Sequence, residues 1–201
     1  MRDNGIQAKR SKKFKVTTNS KHNYPIAPNL LNRQFEVTSP NSVWVSDITY
    51  IWTTEGWLYL AGVIDLHSRM VIGWSMSHRM TEKLTLDALT HAIQRRQPTD
   101  RLLHHSDRGS QYACYEYQRL LIQHGITPSM SRKGNCWDNA VVERFFRSLK
   151  YERTNHVRYR TREEAKRDVV DYIEMFYNSR RYHSYLGYRS PAEFEKRTEV
   201  A

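Results

Sequence analysis

Three short apolar runs, at residues 43–52, 57–65 and 70–77, are separated by the turn signals Thr53-Thr-Glu-Gly56 and Leu66-His-Ser-Arg69. Runs of that length and spacing read as an antiparallel meander. Thr81 then offers an N-cap for a helix running to about Arg96, residues 102–106 give a fourth strand, and residues 115–124 a helix ended by Gly125. Residues 126–130 complete the pattern as a short fifth strand. A meander followed by alternating helices and strands predicts an α/β layer fold. Thr161-Arg-Glu-Glu164 has the form of a capping box and opens a further helix with Ala165, Val169, Tyr172, Ile173 and Phe176 on one face.

Three carboxylates stand out against that frame. Asp47 interrupts the apolar run Val43-Trp-Val-Ser-Asp-Ile-Thr-Tyr-Ile51, where an unpaired charge costs several kcal/mol unless something compensates it. Asp107 ends Leu102-Leu-His-His-Ser-Asp107 just before Arg108-Gly109, at a strand end, a common place for active-site groups. Glu143 follows with 35 residues between, on a helix for which Asp138 and Asn139 are candidate N-caps and Val142, Phe145, Phe146 and Leu149 form the inward stripe. Its own stripe continues through Arg147, Lys150 and Thr154, a polar and basic ridge suited to a phosphate backbone. Taken singly, each acid is as well explained by a bulge, a turn or pairing with Arg147. Together they suit a shared site for a hard cation.

The charge distribution agrees. Residues 1–34 hold eight Lys and Arg against one acid, residues 35–143 ten against eleven, and residues 144–201 fourteen against nine, within a net charge of +11. A polyanionic partner fits basic flanks around a nearly neutral body. Basic tails also serve solubility, and a basic pI alone fits a ribosomal or membrane-surface protein. No apolar stretch reaches signal-peptide or membrane-helix length, so the expected location is cytoplasmic. Cys114 and Cys136 lack zinc-site spacing and are expected as reduced thiols.

The blocks Trp44-Val-Ser-Asp-Ile-Thr-Tyr50, His105-Ser-Asp-Arg-Gly-Ser-Gln-Tyr112, Ser129-Met-Ser-Arg-Lys-Gly-Asn-Cys-Trp-Asp-Asn-Ala140 and Glu143-Arg-Phe-Phe-Arg-Ser-Leu-Lys150 occur in order. With Tyr177-Asn-Ser-Arg-Arg-Tyr-His183 and Ser190-Pro-Ala-Glu-Phe194, they resemble the catalytic core of bacterial insertion-sequence transposases. The closer resemblance is to the orfB product of the IS-three family, a relative of retroviral integrases, and it covers roughly residues 35 to 195. It implies a ribonuclease H-like fold: a five-stranded mixed sheet with a central first strand, flanked by helices, with a C-terminal helical extension. It also implies that Asp47, Asp107 and Glu143 are the acidic triad holding Mg²⁺, with Mn²⁺ as a substitute. Two ions are expected, Asp47 bridging them. Cleavage by water would free a 3′-OH at the element's end, and that hydroxyl would attack a second phosphodiester.

The partner expected is DNA, both element ends and target, handled by a homo-oligomer. Candidate contacts are Arg132 and Lys133 in a polar loop hinged by Gly134, Arg147 and Lys150 on the ridge, and Arg180, Arg181 and His183 in a tail that interleaves cations with aromatics. That tail could equally pack on the core. The expected division is a basic arm or linker at 1–36, a catalytic core at 37–156 and a C-terminal helix and tail at 157–201. In the resembling family the arm follows a DNA-binding region, and Met1-Arg-Asp-Asn-Gly-Ile6 looks like its tail. Competing readings are a repurposed DNA-binding remnant and a ribonuclease H-like nuclease that cuts without joining. Tyrosine and serine recombinases gain little support. His105 is read as structural, and Asp65, Asp100 and Asp138 as turn or cap acids.

Overall fold

The computed structural model describes residues 22–98, 101–134 and 136–198. The meander is formed by β1 (Val43–Thr53), β2 (Gly56–Asp65) and β3 (Val71–Ser77). Next come α1 (Glu82–Arg96), β4 (Leu103–Ser106), the short α2 (Ser110–Ala113), α3 (Tyr115–Gln123) and β5 (Thr127–Met130). The chain continues through α4 (Ala140–Glu152), α5 (Arg162–Asp171) and α6 (Pro191–Thr198). The sheet order is β3-β2-β1-β4-β5, with β1 central. The β1–β2 and β2–β3 pairs are antiparallel, and the β1–β4 and β4–β5 pairs are parallel.

Period-two alternation along β1 divides the core. Val45 and Ile51 face α4 and α5, packing with Leu58, Leu60 and Ile64 of β2 against Phe145, Phe146 and Val169. Trp44 turns to the other face, toward α1 and α3, with Ala61, Val63, Leu89 and Leu121. Gly73 lets α1 lie directly on β3, since a Cβ there would stand 2.4 Å from the Ala88 carbonyl oxygen.

Several sequence expectations change once the chain is folded. Asn139 occupies the N-cap position of α4, but neither it nor Asp138 caps the helix with its side chain. Asn139 Nδ2 instead donates to the Ser46 carbonyl at 3.0 Å, and Asp138 is consumed by arginines. Thr81 likewise holds the N-cap position of α1 without a side-chain hydrogen bond. Thr154 leaves the ridge, because α4 ends at Glu152 and Thr154 lies buried in a short 3-10 turn. Phe176 is 39% exposed, whereas Tyr177 is buried. The helix widens to π geometry over Tyr172–Tyr177, and the extra residue per turn rotates Tyr177 inward where a regular α-helix would have placed Phe176.

The capping box is formed as expected, Thr161 Oγ1 accepting from the Glu164 amide at 3.1 Å. Its reciprocal bond moves by one residue, Glu164 Oε2 accepting from the Arg160 amide at 2.8 Å. Residues 22–36 do not hang free as an arm. Leu31 is buried, the amides of Leu30 and Leu31 both donate to Ser129 Oγ, and the Met130 amide donates to the Pro28 carbonyl. Among the described residues no helix is long and apolar enough to cross a membrane. Cys114 is a buried free thiol. Asp100 and the basic stretch 1–21 fall outside the described residues.

Candidate active site

The pairing of β1 with β4 places Val45 opposite His105. Two residues further along each strand stand Asp47 and Asp107, which therefore share the face covered by α4. β4 ends at Ser106, so Asp107 begins the turn into α2, and its Oδ1 accepts from the Gly109 amide at 2.8 Å. The Asp47 Oδ1 accepts from the Ile48 amide at 2.8 Å. Glu143 lies in the first turn of α4, exposed, and makes no side-chain hydrogen bond or ion pair among the described residues. The expected alternative, a pair with Arg147, is not formed.

The electrostatics tie the three together. Burial pushes the Asp47 carboxyl well above its ordinary range, and the charges of Asp107 and Glu143 push it further, against the Ile48 amide and the Lys150 ammonium. Partial desolvation by its neighbours also raises Glu143, although its side chain reaches solvent. Lys150 reaches back from α4, with Nζ 4.6 Å from the centroid of the Tyr50 ring, and burial lowers its ammonium's pKa while Asp47 opposes that shift. The phenol of Tyr112 is fully buried, feels both Asp47 and Asp107, and its hydroxyl has no hydrogen-bond partner among the described residues. Sequence reasoning passed over Tyr112, whose only mark was its place five residues after Asp107.

A polar frame surrounds this face. Asp138, with no exposed side-chain surface, pairs with Arg33 Nε at 2.9 Å and Arg132 Nη2 at 2.8 Å. It also accepts from Asn29 Nδ2 and from the Arg132 amide. The Arg132 guanidinium, with help from Arg33, holds this carboxyl well below the usual carboxylate range. Asp138 is thus a tertiary node, not the cap acid expected. Asp65 is a turn acid as expected, accepting from the Asn41 and His67 amides. His105 is structural: buried, bonded to Ser129 Oγ and Ser131 Oγ, and lowered by burial to about 4.

The expected DNA contacts fall into two groups. Lys133, Arg147 and Arg180 are exposed. Arg132 retains 47% side-chain exposure although its guanidinium is bound to Asp138. Arg181 instead forks onto Glu152 and reaches Ser148 Oγ. His183 packs edge-on against Tyr177, and burial followed by the Arg181 charge lowers it to about 4, leaving it neutral at physiological pH. These two take the core-packing role that the tail's composition also allowed.

The donor chemistry fits a hard divalent cation, because the Asp107 and Glu143 charges both act on Asp47 and Lys150 offsets them only in part. No three His, Cys, Asp or Glu side chains among the described residues stand close enough to ligate one ion. Bringing Glu143 to the two aspartates therefore requires its side chain to move.

A central β1 bearing one acid, a neighbouring strand end bearing the second and a covering helix bearing the third define an integrase-type catalytic core. The Integrase core domain family matches residues 37–136, and a second Integrase core domain family matches residues 124–191. A 31 kDa protein of insertion element IS600 from Shigella sonnei is 50% identical over 96% of this chain and 71% of its own length. Transposase InsF for insertion sequence IS3A of Escherichia coli K12 is 48% identical over 98% of this chain and 68% of its own. The chain belongs to this insertion-sequence transposase family and is a transposase/integrase catalytic domain. The fold is similar to the magnesium-bound catalytic core of HTLV-2 integrase, with a TM-score of 0.58 at 18% identity, covering 77% of this chain and 96% of that one. That likeness makes the architecture ribonuclease H-like.

Proposed function

We propose that Asp47, Asp107 and Glu143 are the catalytic acids of a DNA-cutting and strand-joining reaction at the ends of a mobile element. The observation that carries this is the placement of Asp107, at the end of β4, and Glu143, on the covering helix α4, close enough to the buried Asp47 of the central strand that both charges act on it. Support for Mg²⁺ comes from their oxygen donor set and from the magnesium in the HTLV-2 integrase core. When bound, divalent ions would supply Lewis-acid charge at the scissile phosphate, two ions being the arrangement expected, with Mn²⁺ as a substitute. Asp47 is held by β1–β2 pairing opposite Gly62 and by the Ile48 amide, and Asp107 by the Gly109 amide of its turn, so the chain pre-sets two of the three ligands. Lys133, Arg147, Lys150 and Arg180 neutralise phosphates and fix the backbone, and Arg132 presents its exposed edge beside them. Water opens the first phosphodiester, and the freed 3′-OH attacks a second one. Bond energy is conserved in that exchange, so neither ATP nor a covalent enzyme intermediate is needed. A homo-oligomer would hold paired ends, with residues 37–156 as the catalytic unit and 157–201 packed on it.

The test is joining of short branched and blunt DNA in Mg²⁺ or Mn²⁺. Joined products from the native chain and none from Asp107→Asn support the reading. Cleavage without joining would assign a plain nuclease instead.

Two further outcomes follow from the site. The Asp47 carboxyl is raised above its unfolded value of about 3.9. Its ionisation therefore costs the metal-free fold stability as pH rises from about 4 through the raised native value. Asp47→Asn is accordingly expected to raise Tm at neutral pH in EDTA while removing the Tm increase that Mg²⁺ gives the native chain. Calorimetry with and without Mg²⁺ checks this, and an unchanged Mg²⁺ effect in the variant would contradict the assignment.

Lys150→Ala is expected to weaken DNA binding uniformly across sequences and to lower the slope of log K against log salt by about 1. Binding isotherms at several salt concentrations measure that slope, while Mg²⁺ binding should be retained, or modestly tightened because the ammonium that acts on Asp47 is gone.

A further inference from the structure

β4 pairs with β1 only over Val43 to Val45, so the β1–β2 hairpin projects beyond the rest of the parallel half of the sheet. At its end the side chains facing away from α4 and α5 are aromatic and uncovered. Trp52 is 60% exposed and Trp57 is 43% exposed. Their ring centroids lie 4.7 Å apart at 73°, and Tyr50 meets Trp57 at 4.9 Å and 79°. Edge-to-face packing of this kind holds each indole upright and leaves ring faces open to solvent.

Cations border the aromatics on both sides. Lys150 stands over the Tyr50 ring on the side of the active site, and the same ammonium acts on Asp47. On the other side Thr53 forms a parallel bridge with Tyr159, and the Thr54 amide donates to the Tyr159 carbonyl at 3.0 Å. Thr53 and Tyr159 are both buried, so the flanking Arg158 and Arg160, both exposed, belong to the outer side with Trp52.

We propose that this hairpin surface, Tyr50, Trp52 and Trp57 flanked by Lys150, Arg158 and Arg160, binds single-stranded DNA next to the active site. The inference rests on the DNA-processing reading above and gives it a specific substrate form. Open ring faces stack on bases irrespective of sequence, and the bordering cations track the phosphates. Lys150 makes the surface continuous with Asp47, so a strand freed by cleavage has a place to lie without leaving the site. A second copy of the chain is the poorer occupant. A two-fold contact through this patch would set Lys150, Arg158 and Arg160 near their own copies, placing like charges together.

The experiment measures binding of the full chain to oligothymidylate and to a duplex of equal length, by anisotropy and tryptophan quenching. Trp52→Ala/Trp57→Ala is expected to weaken oligothymidylate binding about tenfold or more and duplex binding less than about twofold. Trp52→Phe/Trp57→Phe keeps the aromatic faces and should retain most of the affinity. The Phe pair also keeps the edge-to-face packing on Tyr50, so its thermal unfolding should match the native chain, and a selective loss in the Ala pair is read at a temperature below its own transition. Arg158→Ala/Arg160→Ala, which leaves the indoles in place, should lower oligothymidylate affinity and its salt dependence. Unchanged oligothymidylate binding, or equal loss on both DNAs, overturns the proposal. So does a change of oligomeric state without selective loss, which would make the patch an interface between copies. Metal-dependent nicking by the native chain is read in parallel: its absence would count against the catalytic reading and leave the single-strand result standing.

Discussion

Glu143→Gln and Asp107→Asn are each expected to lower metal-dependent cleavage and joining at least about a thousandfold while leaving the fold intact. The magnitude follows from removing an anionic ligand from a site whose cations stabilise several kcal/mol of developing charge, where each 1.36 kcal/mol is about a factor of ten. Fold retention follows from exposure, since Glu143 makes no hydrogen bond or ion pair among the described residues. Asp107→Asn keeps an oxygen able to accept from the Gly109 amide. DNA affinity of Glu143→Gln in the absence of metal should equal or slightly exceed that of the native chain, because one negative charge beside the phosphates is gone. Single-turnover kinetics on branched DNA give the rate, and anisotropy gives the affinity. Residual activity within about tenfold of native in either variant would remove that acid from the triad.

Asp138→Ala is expected to cost about 3 kcal/mol of stability and to depress activity without touching a reacting group. The carboxylate is fully buried and takes charge-assisted hydrogen bonds from Arg33 and Arg132, as well as hydrogen bonds from Asn29 and the Arg132 amide. Its two arginines retain partial exposure and can re-enter water, which keeps the cost below that of stranding a buried charge. The consequence for catalysis is positional. Asn139, the next residue, ties the start of α4 to the Ser46 carbonyl, one residue before Asp47. Loosening the Asp138 node lets α4 drift, and Glu143 rides on its first turn. The carboxyl is held below its unfolded pKa, so its contribution is complete above about pH 4 and is lost as pH falls toward the native value. Denaturant unfolding at pH 7 and at pH 3 separates the two: the difference between native and variant should shrink in acid. An undiminished difference would show that packing, not charge, is what Asp138 supplies.

The positions of the three acids and all five strands were legible because each rests on local rules. Alternation and turn residues mark 43–77, and Gly125, at φ +66, ends its helix in the left-handed conformation that glycine favours. What stayed hidden involves partners far apart in the chain. Asp138 and Asn139 have the composition of caps, and only the approach of Arg33 and of Ser46 diverts them. The tail's Arg181 looks like any phosphate-binding arginine until Glu152 on α4 captures it. Phe176 fits a helical stripe that the π turn at Tyr172–Tyr177 breaks.

The sequence by itself therefore determined the order of the strands and main helices and the strand, strand end and helix that carry the carboxylates, because hydrophobic period and turn chemistry act within a few residues, while the family came from the resemblance of its motif blocks. Tertiary structure alone decided which polar groups are free to meet DNA and which are spent on holding the fold together. A guanidinium has the same composition in either role, and only the distance to a buried carboxylate, set by packing, chooses between them.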